Sequence, residues 1–523
     1  MFRSSRSGAR RAAAAAVVLA LALSAAAVSA VGAGAAVHAA KDKVDKAAVL
    51  QFGLPIEDNG GVFFDPCSPR ASANPSARMW MDLIYGTMIV QTEDGKGAPG
   101  LATKWSTPDA STVELTLREG VKFADGTPFN AAAVKAAWDC LLTGKRPNRS
   151  TDIQALSSIE AVNDSTVRIK LSSPVATNYV NDVLKNATHL AVPSPTAAAA
   201  GNLDSKPVGA GPYQLKSYST GKVTLEKNPQ YYDKPAQKLA GYELIDTPIG
   251  PPGVSALQAG TVDAIWSFPP DAVATLEAAP GIEVYAAPSA RQYQLGLCPT
   301  QGVFANKTAR QAIQYAVDRD AINEAALEGT GNPGQTILTT SSPYFNKALA
   351  KTYKFDPKKA KALLKEAGVA PGTKISMFVP AQPPYDAIAD VVQSQLKDVG
   401  LEPEVTKSTS FAADVARLKP DMTVASIDPT LLSLFWEKES PLNACSFNSP
   451  ALVTALNATR DPSKTGADLQ AAWDTLQKTT LDESVNVITN LSGLLVAHTD
   501  KVKNLTIVNS PYGPQLAGVY MTK

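Results

Sequence analysis

Histidine is scarce in this 523-residue chain. Of three copies, His38 lies in an N-terminal leader, so His189 and His498 are what remains for chemistry. No H-E-x-x-H occurs, which removes a zincin, and two histidines do not build a histidine metal cluster. A G-x-S-x-G elbow is also missing, and a Ser-His-Asp triad would have to borrow one of two histidines that both read as structural. Without a Walker loop the chain is not expected to hydrolyse ATP. GTGNPG at 329–334 fits G-x-G-x-x-G, but it follows a helix, contains Pro333 and leads into no helix, so the dinucleotide reading fails. In GAGPYQ at 209–214, Gln214 stands where a third glycine belongs. The carboxylates are scattered, without spacing diagnostic of a glycosidase pair. The expectation is a protein that is not an enzyme and uses no cofactor or metal.

Charge of one sign is lacking as well. Basic residues number 49 and acidic ones 48; without the four leader arginines, 45 stand against 48, a net charge of −3. That balance argues against nucleic acid and against a polybasic membrane patch. Cysteine is limited to Cys67, Cys140, Cys298 and Cys445. Their spacing gives no metal knuckle; they allow three pairings in an oxidising compartment, or four buried thiols. After the leader no apolar run is long enough to span a bilayer.

The leader, residues 1–40, starts with Arg3, Arg6, Arg10 and Arg11, continues through the apolar run Ala12 to Val31, and ends in small residues around Ala39. This order predicts an export signal, cleaved near Ala39 or Ala40, with a retained anchor as the alternative. No Cys precedes Cys67, so an N-terminal lipid-anchored cysteine is not expected. The remainder is long enough for two or three domains.

Strand and helix patterns are interspersed. Val113, Leu115 and Leu117 alternate with polar residues, as do Val167, Ile169 and Leu171, and Val223 and Leu225. In VKFADGTPFNAAAVKAAWDCLL (121–142) a turn at Asp125-Gly126 leads to a helix capped by Asn130, with Val134, Ala137, Trp138 and Leu141 as its stripe. DPKKAKALLKEAG (356–368) predicts a helix capped by Asp356, with Pro357 in its first turn and Gly368 at its end. The class is α/β with mixed sheets.

Five ordered segments resemble one family, the peptide/opine/nickel-type extracellular solute-binding proteins of ATP-binding-cassette importers, family 5. They are LATKWSTPDASTVELTLREGVKFADGTPFNAAAVKAAWD (101–139), GAGPYQLKSYSTGKVTLEKNPQYYD (209–233), ALQAGTVDAIW (256–266), ARQAIQYAVDRDAI (309–322) and FDPKKAKALLKEAGV (355–369). The resemblance implies a periplasmic-binding-protein-like two-lobed clamp. Lobe I would take residues 41–297, with an inserted subdomain near 75–205; lobe II would take 298–493, and 494–523 would return to lobe I. Crossings are expected at Gln294–Cys298 and Leu494–His498. The disulfides Cys67–Cys140 and Cys298–Cys445 would each stay inside one lobe.

The resemblance also implies an exported, periplasmic or cell-surface monomer. It would capture a peptide-like or similarly sized solute, a small molecule or an oligopeptide, by hinge closure and deliver it to a permease whose ATPase is a separate polypeptide. A secreted carboxylate-dependent hydrolase on an unrelated α/β fold is one alternative; an extracellular chaperone or sensor on the same fold is another.

In peptide-binding relatives an A-D-Y-x-x-P segment supplies an acid to the ligand ammonium, because a buried ammonium needs such a partner. VASIDP (424–429) puts Ala425 there, which departs from the pattern; Asp428 could replace the acid or cap a following helix at 430–436. Trp266 could wall the cleft or belong to a core. Arg291 could hold a carboxylate or form a surface ion pair, and Tyr293 could stack on the ligand. Trp436 reads as core or ligand contact, and Glu57, Asp58 and Tyr85 are cleft-facing candidates. Asp318-Arg319 reads as structural, a cap and an ion-pair partner.

Overall fold

The computed structural model describes residues 43–57, 61–68, 76–92, 96–142, 156–172, 176–185, 190–340, 342, 344–427, 436, 443, 445–459, 461, 464, 466–505 and 513–523. The side chains of 178, 181–182, 286–291, 412–413, 427 and 492–493 lie outside that description. The chain divides into two compact units, Met1–Asp45 with Thr522–Lys523, and Lys46–Met521. In the first, Val44 bridges Thr522. The second holds every element below.

Strand β1 (Val49–Leu54) is followed by helix α1 (Ala77–Tyr85) and the hairpin β2 (Ile89–Gln91) and β3 (Gly97–Pro99). Next come β4 (Ala102–Asp109), β5 (Thr112–Leu117), α2 (Ala131–Leu142), β6 (Leu156–Asn163) and β7 (Thr166–Leu171). Then β8 (Tyr213–Ser219), β9 (Lys222–Lys227), β10 (Gly241–Asp246), β11 (Ala264–Trp266) and the 16-residue β12 (Ile282–Leu297) follow. Helices α3 (Lys307–Ala316) and α4 (Arg319–Leu327), the short β13 (Asn332–Pro333) and α5 (Pro357–Glu366) lead to β14 (Thr373–Pro380), α6 (Tyr385–Asp398), β15 (Leu401–Ser408) and β16 (Met422–Ile427). Helices α7 (Pro450–Thr459) and α8 (Gly466–Glu483), the 14-residue β17 (Asn486–Thr499), and the pair β18 (Val502–Lys503) and β19 (Tyr520–Met521) complete the chain.

An eleven-stranded sheet runs in the order β15-β14-β16-β12-β17-β11-β1-β10-β9-β8, with β13 added beside β17. It is mixed: β1 pairs parallel with β10 and β11, whereas β12 and β17 pair antiparallel. The two long strands are shared between cores. Ile282 and Val284 of β12, with Leu495 and Ala497 of β17, pack with Val254, Ile265 and Leu276. Farther along β12, Tyr293, Leu295 and Leu297 join Val487 of β17 in a core with α3, α4, α6 and β14. Between these regions the register shifts twice, between Pro288 and Gln292 and between Tyr293 and Gln294.

A separate sheet, β4-β5-β7-β6, packs with α2 into its own core of residues from Met88 to Ala210. Its helix starts as its sequence dictates, with Asn130 Oδ1 accepting from Ala133 N at 2.9 Å. Asp356 likewise accepts from Lys359 N to cap α5, Pro357 takes the first turn, and Ala360 and Leu364 are buried. The glycines of GAGPY serve packing: a Cβ at Gly209 or Gly211 would collide with the carbonyls of Ile84 and Leu83 at the end of α1. GTGNPG contains β13 and runs beside β17, with no helix opening from it. Cys67 is joined to Cys140 and Cys298 to Cys445, with Cα separations of 6.1 and 5.7 Å.

Candidate functional site

The residues singled out from the sequence are spread over several packing environments. Trp266 ends β11 and is 7% exposed, in one core with Met79, Trp80 and Leu494. Tyr85 is in that core too, its hydroxyl donating to Phe64 O at 2.7 Å. Burial, reinforced by Asp65 and Asp204, pushes its phenol well above the ordinary range. Glu57 is exposed, and its carboxylate accepts from Gly221 N at 3.1 Å. Trp436 is 1% exposed, in a small core with Ile337, Leu452 and Leu476. Tyr293 is buried against the Tyr385 ring, the centroids 5.7 Å apart and nearly perpendicular, and Tyr385 hydrogen-bonds Ser426 Oγ at 2.7 Å. Arg291 lies on β12, its side chain outside the description; Asp58, Asp428 and the expected helix at 430–436, apart from Trp436 itself, lie outside the described residues.

What the structure gathers instead is a band of neutral polar groups along β12 and β17. Asn486 Nδ2 donates to Gln294 Oε1 at 2.9 Å, and Trp436 Nε1 donates to Asn486 Oδ1 at 3.0 Å. Gln292 Nε2 donates to Thr336 O at 3.1 Å, and Thr489 Oγ1 to Tyr293 O at 3.1 Å. Asn490 Nδ2 reaches Arg319 O at 3.2 Å. The acceptor oxygens of Gln292, Asn323 and Asn490 are buried without a hydrogen-bond partner among the described residues. Sequence reasoning passed over these amides. Their signal was polar residues, Asn486, Thr489 and Asn490, inside an otherwise largely apolar strand.

Asp318 caps α4 through the amides of Asp320 and Ala321. The reading of Arg319 as an ion-pair partner is corrected: its guanidinium, 8% exposed, donates to the carbonyls of Gly334, Ile488, Gln314 and Val317 and to Gln314 Oε1. Burial pulls its pKa down to about 10, so it stays charged at neutral pH. The neighbouring motif arginine, Arg310, does pair with Glu483, at 3.2 Å.

Nothing in this band resembles a reaction centre. His498 is buried, with Nδ1 2.8 Å from Thr499 O and its ring stacked on Tyr285. Among the described residues no group of His, Cys, Asp and Glu is arranged to hold a metal ion, and no helix is long and apolar enough to cross a membrane. Neutral amides and hydroxyls on two long strands are equipped to orient and hydrogen-bond, not to transfer protons.

Residues 96–433 match the family described as bacterial extracellular solute-binding proteins, family 5 Middle. The glutathione-binding protein GsiB of Shigella boydii serotype 4 is 31% identical over 304 residues, which cover 57% of this chain and 58% of that protein. Among solved structures, the binding protein AgaA of A. tumefaciens R10 in complex with agropinic acid is 26% identical with a TM-score of 0.73, covering 88% of this chain and 95% of that one. The periplasmic binding protein DppA of Helicobacter pylori with the peptide STSA has a TM-score of 0.76 at 23% identity, covering 91% and 98%. These relatives are binding proteins rather than enzymes, and the α/β fold of the chain is that of the periplasmic binding proteins.

Proposed function

The chain belongs to the bacterial extracellular solute-binding proteins of family 5, and from that premise we propose that it captures a peptide-like solute by hinge closure and hands it to an ATP-binding-cassette permease served by a separate ATPase. The observation that carries this reading is the pair β12–β17. Both strands contribute side chains to the core around Val254 and Leu276 and to the core with α3, α4, α6 and β14, β17 adding Leu494 and Val496 to a third, and the register between them breaks at 288–294. Two strands shared by two rigid cores form a hinge that bends with few torsions, and a solute touching both sides biases the closed state.

The change of core falls between Val284 and Tyr293 on β12 and between Val487 and Leu494 on β17. This supports hinge segments within those windows, upstream of the crossing first expected at Gln294–Cys298. In this reading lobe I runs from 41 to the 284–293 window of β12, its inserted subdomain being the four-stranded sheet with α2; lobe II, first expected at 298–493, runs from there to the 487–494 window of β17, and the remainder returns to lobe I. Export to a periplasmic or cell-surface space, through a leader at 1–40, and a monomeric state belong to the same proposal. So do solute contacts by Trp266, Arg291, Tyr293, Glu57, Asp58 and Asp428; Tyr85 and Trp436, fully buried with their polar atoms bonded inside the protein, belong to their cores instead.

The chemistry of the band favours a ligand rich in amide or hydroxyl groups, since neutral amides match neutral hydrogen-bonding partners. Mass spectrometry of small molecules released from the purified protein, followed by calorimetry with each, tests the reading. Recovery of a peptide-like molecule that binds stoichiometrically is the expected result. Turnover of a peptide panel, or no binding from such a panel and no released solute, overturns it.

A further inference from the structure

The average charge of this chain conceals a concentration of lysine. Between residues 347 and 365 there are seven lysines, Lys347, Lys351, Lys354, Lys358, Lys359, Lys361 and Lys365, and one acid, Asp356. The local net charge is +6; because the whole chain carries +1, everything outside this run sums to −5. All seven lysines are exposed. At the centre of the run Phe355 is 48% exposed, a large apolar side chain left on the surface among them.

Local structure does not account for these charges. Asp356 spends its carboxylate on the amide of Lys359 as the cap of α5. Lys359 lies over the Tyr315 ring, 4.1 Å from its centroid. The other six have no carboxylate partner among the described residues. Lys358 and Lys359 stand in the first turn of α5, where the helix dipole disfavours a cation. Lys358, Lys361 and Lys365 follow one another at spacings of three and four, so they share one helical face, away from buried Ala360 and Leu364.

We propose that this face, Lys351 to Lys365 around Phe355, is a docking surface for the anionic headgroup layer of a bilayer. Lysine is depleted from protein–protein interfaces because ordering its long side chain and stripping its hydration are costly. A polybasic surface meets a charged bilayer without ordering its side chains, and an exposed aromatic ring adds insertion at the headgroup boundary. With a net −5 over the rest of the chain, attraction to a negative surface falls to this lysine run rather than to the molecule's overall charge. The inference takes its purpose from the proposed role, since a receptor that serves a permease works beside a membrane, but its test needs no solute.

The experiment is co-sedimentation of the purified protein with vesicles of phosphatidylcholine alone and of phosphatidylcholine mixed with phosphatidylglycerol, at low and high salt. Binding to the mixed vesicles at low salt, lost at high salt and absent with phosphatidylcholine alone, is expected. Lys358→Gln, Lys361→Gln and Lys365→Gln together preserve helix propensity. They should weaken binding roughly a hundredfold, at about fivefold for each lysine held near the surface. Phe355→Ser should lower it further, with an unchanged circular dichroism spectrum in every variant. Equal binding to both vesicle types, or undiminished binding by the triple variant, overturns the proposal. Binding to soluble polyglutamate but not to vesicles also overturns it, and points to an acidic protein partner. Solute affinity, measured by calorimetry on the triple variant, should stay at the wild-type value, so failure here and failure of the solute reading are separate results.

Discussion

Arg319 is a buried cation held by carbonyls, and that arrangement makes it costly to remove. Arg319→Met would orphan acceptors on Gly334, Ile488, Gln314 and Val317 at once, and each buried acceptor left unpaired carries a desolvation cost. We expect a loss of about 3–5 kcal/mol in urea denaturation. Trp436→Phe keeps the ring in its core but removes the donor to Asn486 Oδ1, for about 1–3 kcal/mol. Asp125 illustrates a titration effect. Burial would raise its carboxyl, but donation from Ser194 and Thr127 hydroxyls and the Thr127 amide holds it below the ordinary value. A depressed folded-state pKa contributes stability that is present above the unfolded carboxyl value, about 3.9. That stability is lost as pH falls through the lower folded value. Asp125→Asn should therefore flatten the acid limb of the stability-versus-pH curve below about pH 4 in denaturation series, with the full, pH-independent loss in the neutral region and a smaller difference from the parent in acid.

At the scale of elements, caps and turns were legible because their chemistry is local. Asn130, Asp318 and Asp356 each hydrogen-bond amides two or three residues on, a relation contained in a few neighbouring positions. Asp318→Ala should cost about 1 kcal/mol in thermal or urea unfolding while leaving α4 in place. The alternation in β5, β7 and β9 was equally readable, since one face of each strand is buried. Less readable was the length of β12 and β17. Their middle parts change core, so no single alternation runs through them, and a register shift breaks the pattern further. The polar amides on them carry no local pattern, and only pairing across 192 positions, Gln294 to Asn486, brings them together.

For the whole molecule, two long-range disulfides close loops of 73 and 147 residues in separation, and the second ties the end of β12 to the segment before α7. Replacing Cys298 and Cys445 by serine should lower stability by about 2–4 kcal/mol, measured by denaturant unfolding under oxidising conditions. Solute binding to the folded form alone should raise stability by about 2.7 kcal/mol at a hundredfold excess over Kd. Scanning calorimetry with and without the released molecule checks this, and a transition that ignores the solute would contradict capture. Net charge, also a whole-molecule quantity, was read from the sequence as evidence against a basic patch. The count was right; an average over the chain carries no information about seven exposed lysines gathered between residues 347 and 365.

By itself the sequence determined the α/β class, the helix starts and the family, because each depends on neighbours within a turn or a strand or on ordered short segments. Only the tertiary structure decided that Trp266, Tyr293 and Trp436 lie in three different cores, that Arg319 serves carbonyls, and that amides nearly two hundred residues apart form one band. Burial and hydrogen-bond partnership are set by which distant strands pair, and strand pairing across such distances leaves no local trace in composition or periodicity.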